Sequence, residues 1–298
     1  MSWQISGDEL ARWRDNALSA AKASGIDPQE VDWFLREVTG LDKLSLRLRT
    51  FPPSLESSYS LAHLSRLWAE RLHSRSPVQY LAGSTTWRNF HLKVTHGVLI
   101  PRPETEYLID IVSAAVKTSP DLDSGHWADL GTGSGAIAIG LSSILTNAQI
   151  HAVDVSRVAL AIAAENIKSL NYTDRIHLYQ GSWWTPLQSL RGKITGMISN
   201  PPYIPSPTLE DLQPEVINHE PTLALDGGED GLTSIRHLVS TSGDYLRPDG
   251  VWLIEIMAGQ GARVASLLEQ DGNYESVTVI DDFAGFDRYV LARRKSCP

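Results

Sequence analysis

Asn200-Pro201-Pro202-Tyr203 follows directly on the apolar run Ile194-Thr195-Gly196-Met197-Ile198-Ser199, and these residue types suit one task, holding a planar amino group still. The lone pair of an amide or aromatic amine nitrogen is delocalised, by the resonance that stiffens a peptide bond, so such a nitrogen must be oriented before it attacks an electrophile. The Asn200 side-chain oxygen can accept one N–H of an incoming NH2 group, and the Pro201 carbonyl can accept the other. Two prolines fix φ and bring no N–H donors, so the turn offers acceptors on a rigid frame. Tyr203 adds a flat face for a planar group. An isolated Asn-Pro-Pro-Tyr is as compatible with a proline turn ending a buried strand, so the rest of the chain must decide.

A second constellation is Asp129-Leu130-Gly131-Thr132-Gly133-Ser134-Gly135, between an expected strand and the expected helix 136–145. Glycines there let the backbone turn tightly and approach a nucleotide-type cofactor without a Cβ in the way. Gly131, Gly133 and Ala136 also satisfy the G-x-G-x-x-A pattern of dinucleotide sites, and Asp154, ending the next strand, can accept ribose hydroxyls of either cofactor. The acceptor turn separates the two. A dehydrogenase needs a proton donor or acceptor beside a hydride-bearing carbon, whereas Asn-Pro-Pro-Tyr suits an NH2 group. Methyl transfer from S-adenosyl-L-methionine fits better, because its methyl group arrives activated and the protein need only position the nucleophile and exclude water. Of Ser182-Trp183-Trp184, Trp183 is expected against the adenine, with at least one tryptophan in the core.

The elements that must position these groups follow an α/β pattern. From about Tyr107 onward, apolar stretches 127–130, 150–153, 176–179, 194–199 and 251–256 alternate with helical ones, which predicts a Rossmann-like, mostly parallel sheet with helices on both faces and ligands at the carboxyl ends of the strands. Stretches 276–280 and 287–292 predict a closing antiparallel hairpin. Residues 1–77 read as a small helical domain, with Leu10, Trp13, Ala17 and Ala21 on one helix face, a helix start at Asp27-Pro28-Gln29-Glu30, and a third helix from about Ser54 to His73 carrying Leu61, Leu64, Leu67 and Trp68 inward. Residues 78–100 read as a β-hairpin connector and 101–298 as the catalytic domain. The Pro-rich, acidic loop 204–230 is long enough to suggest a function of its own.

Composition narrows the field. At 298 residues, 42% hydrophobic and 20% charged, the chain reads as a globular protein with no bilayer-spanning run and no secretory or transit signal, which makes the cytoplasm the expected location. Cys297 is the single cysteine, so intrachain disulfides and thiolate clusters are excluded, and the nine scattered histidines match no metal-ligand spacing. No metal is expected. A net charge of −9 argues against direct nucleic-acid binding.

Taken in order, these motifs resemble those of the HemK-type protein-(glutamine-N5) methyltransferases. Pro77-Val78-Gln79-Tyr80-Leu81-x-Gly83, Val98 to Glu106, Asp129 to Gly135, Asp154 with Ser156, Asn200 to Ile204, Glu220-Pro221, Ala224 to Leu232 and Asp281 to Arg288 all look like the family's segments. The resemblance implies that Gly131, Thr132, Gly133, Ser134, Gly135, Asp154, Trp183 and Asn200 contact S-adenosyl-L-methionine. It implies that Asn200, Pro201, Pro202 and Tyr203 hold the glutamine of a release factor Gly-Gly-Gln motif, with Asn200, Pro201 and Tyr203 as the catalytic set. It also implies that the helical domain helps to dock class I peptide-chain release factors, and that Pro101 to Glu106 lines the cofactor pocket or serves as a hinge. The enzyme is expected to be a monomer. Met257 and Asn89 stand where the family often has glycine, which puts local backbone shape in doubt but not the reaction. Two rivals remain: an adenine-N6 methyltransferase acting on DNA or RNA, which would flip its base out and need a basic face, and a catalytically silent S-adenosylmethionine-binding adaptor.

Overall fold

The computed structural model describes residues 3–296, so Cys297 lies outside the described residues. Two compact units emerge, one holding the residues up to Thr85 together with Gln213–His219, the other Thr86–Leu212 and Glu220 onward.

The first unit is helical: α1 (Gly7–Ala23), α2 (Gln29–Thr39), α3 (Lys43–Leu48), α4 (Leu61–Ser74) and α5 (Val78–Ala82). Leu10, Trp13, Phe34, Leu35, Leu64 and Trp68 form its core, and the Asp27 carboxylate accepts from the Gln29 amide at 2.9 Å, as a helix start there requires. Three local expectations change. A two-stranded antiparallel ribbon, β1 (Trp3–Ser6) with β2 (Ser54–Ser57), lies where only helix was expected, so the third long helix begins at Leu61 and not at Ser54. Ser60 caps that helix through the His63 amide. Val78–Ala82 is helical and closes on Gly83 at φ 76°, so the hairpin is shorter than residues 78–100, being β3 (Ser84–Trp87) and β4 (Phe90–Lys93). Part of the long acidic loop belongs here as well: within α9 (Pro214–Ile217), Glu215 meets the buried Arg71 at 2.9 Å, and Arg71 also binds Glu30 at 2.6 Å.

The second unit is built on a seven-stranded sheet. Its strands are β5 (Ser124–Leu130), β6 (Asn147–Asp154), β7 (Ile176–Gln180), β8 (Ile194–Ser199), β9 (Leu246–Glu255), β10 (Tyr274–Asp281) and β11 (Asp287–Arg294), in the order β10-β11-β9-β8-β5-β6-β7. The five strands β5 to β9 run parallel, and β10 and β11 form the antiparallel closing hairpin. Helices α6 (Tyr107–Thr118), α7 (Ala136–Ile144), α8 (Arg157–Ser169), α10 (Thr233–Ser242) and α11 (Gly261–Asp271) cover the faces, and two apolar clusters fill the space between them and the sheet. The chain leaves β5 toward β6 on one side and returns to β8 on the other, so the crevice at the carboxyl ends of β5 and β8 is the topological switch point where such folds take ligands. Every residue of β8 is buried, and at Gly196 the Trp127 ring occupies the space a Cβ would need. Among the described residues, no helix is long and apolar enough to cross a membrane.

Candidate active site

After β5 the chain enters the glycine loop, where Gly131, Gly133 and Gly135 all adopt left-handed backbone at φ 82°, 55° and 86°. Only glycine takes up such a run without strain. Four of the loop's N–H groups are committed: Gly131 and Thr132 donate to the Val153 carbonyl, Gly135 donates to Thr132, and Gly133 donates to Asp154 Oδ2 at 2.9 Å. Asp129 Oδ2 takes the Ala138 amide in the first turn of α7 at 3.0 Å and the Thr132 hydroxyl at 2.6 Å. A carboxylate thus occupies the helix N-terminus that a dinucleotide pyrophosphate would use. The loop is a shaped wall and not a phosphate cradle, which disfavours the dinucleotide alternative. Asp129 Oδ1 is fully buried without a partner, and burial pushes this carboxyl up to about 7.

Asp154 ends β6. Its two oxygens accept the Gly133 and Ser156 amides, which orients the carboxylate and leaves lone pairs free; burial raises its pKa while those amides oppose the rise. Beyond β7, Trp183 is held at φ 50°, a conformation uncommon for a bulky residue and concentrated at functional sites. A Cβ built on Gly131 would lie 3.8 Å from the Trp183 ring. The neighbouring Trp184 is the core tryptophan of the pair, stacked on Tyr245 at 4.5 Å with its N–H on Ser242.

The acceptor corner begins where β8 ends. Ser199 anchors it by donating to the Leu130 carbonyl at 2.6 Å. Asn200 Nδ2 lies 3.1 Å from Thr105 Oγ1, and the Tyr203 hydroxyl donates to Glu255 Oε1 at 3.0 Å. Ile204 and Leu225 to Gly227 clip the corner through two backbone hydrogen bonds. A Cβ on Gly227 would come within 2.8 Å of the Tyr203 backbone, so this close approach needs glycine. Gln260 Nε2 donates to the Tyr203 carbonyl at 3.0 Å.

Gly131, Gly133, Asp154, Trp183, Asn200 and Pro202 line one cavity of about 380 Å³, within the usual range for small-molecule sites. Thr132 and Ser134 are buried beneath the loop, Gly135 caps α7, and none of the three is on the cavity wall. Pro201 is buried and Tyr203 half-buried behind the corner, so the wall itself is made by Asn200 and Pro202. The Pro101 to Glu106 segment does not line the cavity either; Gly97, Val98 and Leu99 do. Within that segment Arg102 pairs with the buried Glu220 at 2.5 Å.

A family model, the methyltransferase small domain, matches residues 105–219. The release factor glutamine methyltransferase of Synechocystis sp. (strain ATCC 27184 / PCC 6803 / Kazusa) is 49% identical over 98% of each chain, and that of Thermosynechococcus vestitus is 46% identical over 97% of this chain and 99% of the relative. The chain belongs to the release factor glutamine methyltransferase family. Among solved structures, the hMettl16 catalytic domain in complex with the MAT2A 3'UTR hairpin 6 aligns at a TM-score of 0.55 and 16% identity over 79% of this chain and 81% of that one, a likeness of fold alone.

In this member of the family, the two departures from the glycine pattern are absorbed locally. Left-handed backbone in the β3–β4 turn falls on Arg88, at φ 52°, and not on Asn89; its N–H and guanidinium are tied to Glu106, and the guanidinium also reaches Asp110. The Met257 amide donates to Gln260 Oε1 at 3.1 Å. Thr105, Glu255 and Gln260 were not singled out as site residues by sequence reasoning. A glutamate ending the apolar strand 251–256 is a readable signal in hindsight, since buried carboxylates need a reason.

Proposed function

We propose that this enzyme transfers a methyl group from S-adenosyl-L-methionine to the side-chain amide nitrogen, N5, of the glutamine in the Gly-Gly-Gln motif of class I peptide-chain release factors. The observation that carries the reading is that the acceptor corner and the glycine loop share one cavity wall, with Asn200 and Pro202 beside Gly131, Asp154 and Trp183. The residues fit the cofactor: Asp154 has free lone pairs for ribose hydroxyls, and the Trp183 ring on the same wall suits the adenine. S-adenosyl-L-methionine, when bound, supplies an activated methyl, so that the N–C bond forms as the S–C bond breaks and sulfur keeps the electron pair. The protein's part is to orient. Asn200 Oδ1 accepts one N–H of the substrate amide and the Pro201 carbonyl, in the peptide bond it shares with the wall-lining Pro202, accepts the other, which aims the lone pair. No basic side chain removes a proton first; burial, then the neighbouring Glu255, push the Tyr203 phenol up, so it stays protonated and donates to Glu255. The surplus proton on nitrogen passes to water after attack. The helical unit takes part in docking the protein substrate, and the enzyme works as a cytoplasmic monomer.

Incubating the purified protein with labelled S-adenosyl-L-methionine and a release factor, then locating the label by mass spectrometry, tests this. Label on the Gly-Gly-Gln glutamine is the expected result; label on DNA or RNA, or on no acceptor, overturns it.

A further inference from the structure

Glu255 is 1% exposed, and no contact with substrate or cofactor has been assigned to it. Its carboxylate takes the Thr105 hydroxyl at 2.6 Å and the Tyr203 hydroxyl at 3.0 Å. An ionised carboxylate only accepts, so both hydroxyls must donate to it. Thr105 has a single O–H, now committed, and its oxygen can therefore only accept from its other neighbour. That neighbour is the Asn200 amide at 3.1 Å. The NH2 end of Asn200 must lie against Thr105, which turns the carbonyl end away. Without this constraint the amide can rotate by half a turn, and only one of its two orientations presents an acceptor.

We propose that Glu255 and Thr105 are positioning residues that set the direction of this hydrogen-bond chain, locking Asn200 with Oδ1 toward the substrate amide. The proposal rests on the methyl-transfer reading above. Burial holds the Glu255 carboxyl above the usual carboxylate range; the hydroxyls of Thr105 and Tyr203 and the Arg288 cation oppose that rise and stabilise the ionised form, and Glu104 adds to it.

Three substitutions test the chain. Thr105→Val keeps the shape and removes the acceptor, Glu255→Gln keeps the shape and introduces a donor, and Thr105→Ser keeps the hydroxyl. Thr105→Val and Glu255→Gln should each lower kcat by about 100-fold, as loss of an orienting group does, while Thr105→Ser retains most of the rate. In an Asn200→Ala background, Thr105→Val should cost nothing further, because the threonine acts through the asparagine. Independently of activity, the Asn200 side-chain NH2 protons should exchange slowly with solvent in the wild type and Thr105→Ser, and fast in Thr105→Val, as followed by NMR on the 15N-labelled protein. Thermal melting identifies any variant that fails to fold, and Glu255→Gln carries the test should Thr105→Val be lost that way. A wild-type kcat in Thr105→Val, or a full extra loss on top of Asn200→Ala, overturns the inference. Should the wild type methylate no glutamine, the functional reading fails, and amide exchange still decides the hydrogen-bond chain.

Discussion

The glycine loop and the acceptor corner face the same cavity, yet they are held in opposite ways. The loop is shaped by its own backbone and the strand beside it: three left-handed glycines inside five residues, three N–H groups bonded to Val153 and Thr132, a fourth to Asp154, and Asp129 holding the Ala138 amide of α7. The corner is shaped from outside, by Thr105 from 95 residues away, by Glu255 from 52 and by Gln260 from 57, with Gly227 pressed against its backbone. A loop held by its own glycines and one neighbouring strand tolerates change farther away and is damaged most by change in itself. A corner held at a distance is vulnerable at every brace.

The largest expected effect separates the two adjacent tryptophans on the loop side. Trp184→Ala removes a buried ring stacked on Tyr245 and should lower stability by about 3–5 kcal/mol, seen as a drop in the denaturation midpoint. Trp183→Ala should leave the fold nearly intact and weaken cofactor binding by about 1–3 kcal/mol, the worth of an aromatic stack on a base, measured by calorimetry. Equal stability losses in the two variants would show that Trp183 is core as well.

At the corner, Asn200→Ala should cost about 2.7–4 kcal/mol of transition-state stabilisation with little change in melting, by analogy with deletion of one orienting group in a desolvated site. Steady-state kinetics with a release factor read this out; near-normal turnover removes Asn200 from the mechanism.

Acid acts on the sheet beneath the loop through a buried histidine. His126 and His151 lie 3.0 Å apart across β5 and β6, with the Tyr179 hydroxyl 3.1 Å from the far nitrogen of His151. Burial, with the nearby His126 and His177, lowers the His151 pKa to about 4. The unfolded chain, with an ordinary pKa of about 6.5, binds the proton more readily, so the His151 contribution to stability is lost as pH falls from about 6.5 toward about 4, by up to about 3 kcal/mol, while protonation of the buried Asp129 acts in the opposite direction. His151→Gln should make the stability rise on acidification over that range, relative to the wild type, whereas an unchanged slope would place the acid sensitivity elsewhere. The apolar strand β8 that leads to the corner carries no titratable group.

This contrast also explains which features are legible in the sequence. The strand–loop–helix signature around Gly131, the parallel sheet and the closing hairpin rest on local patterning, and all were legible. So was the corner's place beside the glycine loop, although of its four residues only Asn200 and Pro202 reach the cavity wall. Its braces were not, since Thr105 and Glu255 become neighbours only through the packing of the segment before α6 against the end of β9. The ribbon of Trp3–Ser6 with Ser54–Ser57 escaped for the same reason: two four-residue strands that pair across some fifty positions carry almost no local signal. Val78–Ala82 reads as strand because a five-residue helix is too short to display its period.

One substitution made on both sides sharpens the comparison further. At Gly227, alanine meets the Tyr203 backbone at 2.8 Å and Gly231 O at 2.7 Å, so the corner must shift, at about 1–3 kcal/mol for an overpacked site, and kcat should fall with stability. At Gly133 the same methyl meets nothing within 4 Å, and the only penalty is a left-handed backbone at φ 55°. That strain is about 1–2 kcal/mol for alanine. Because the Gly133 amide is bonded to Asp154, relaxing the strain would pull the carboxylate from its place, so the loss should appear in cofactor affinity more than in kcat at saturating cofactor. A Gly133→Ala enzyme with unaltered affinity and a reduced kcat would mean that the loop is braced from outside after all, as the corner is.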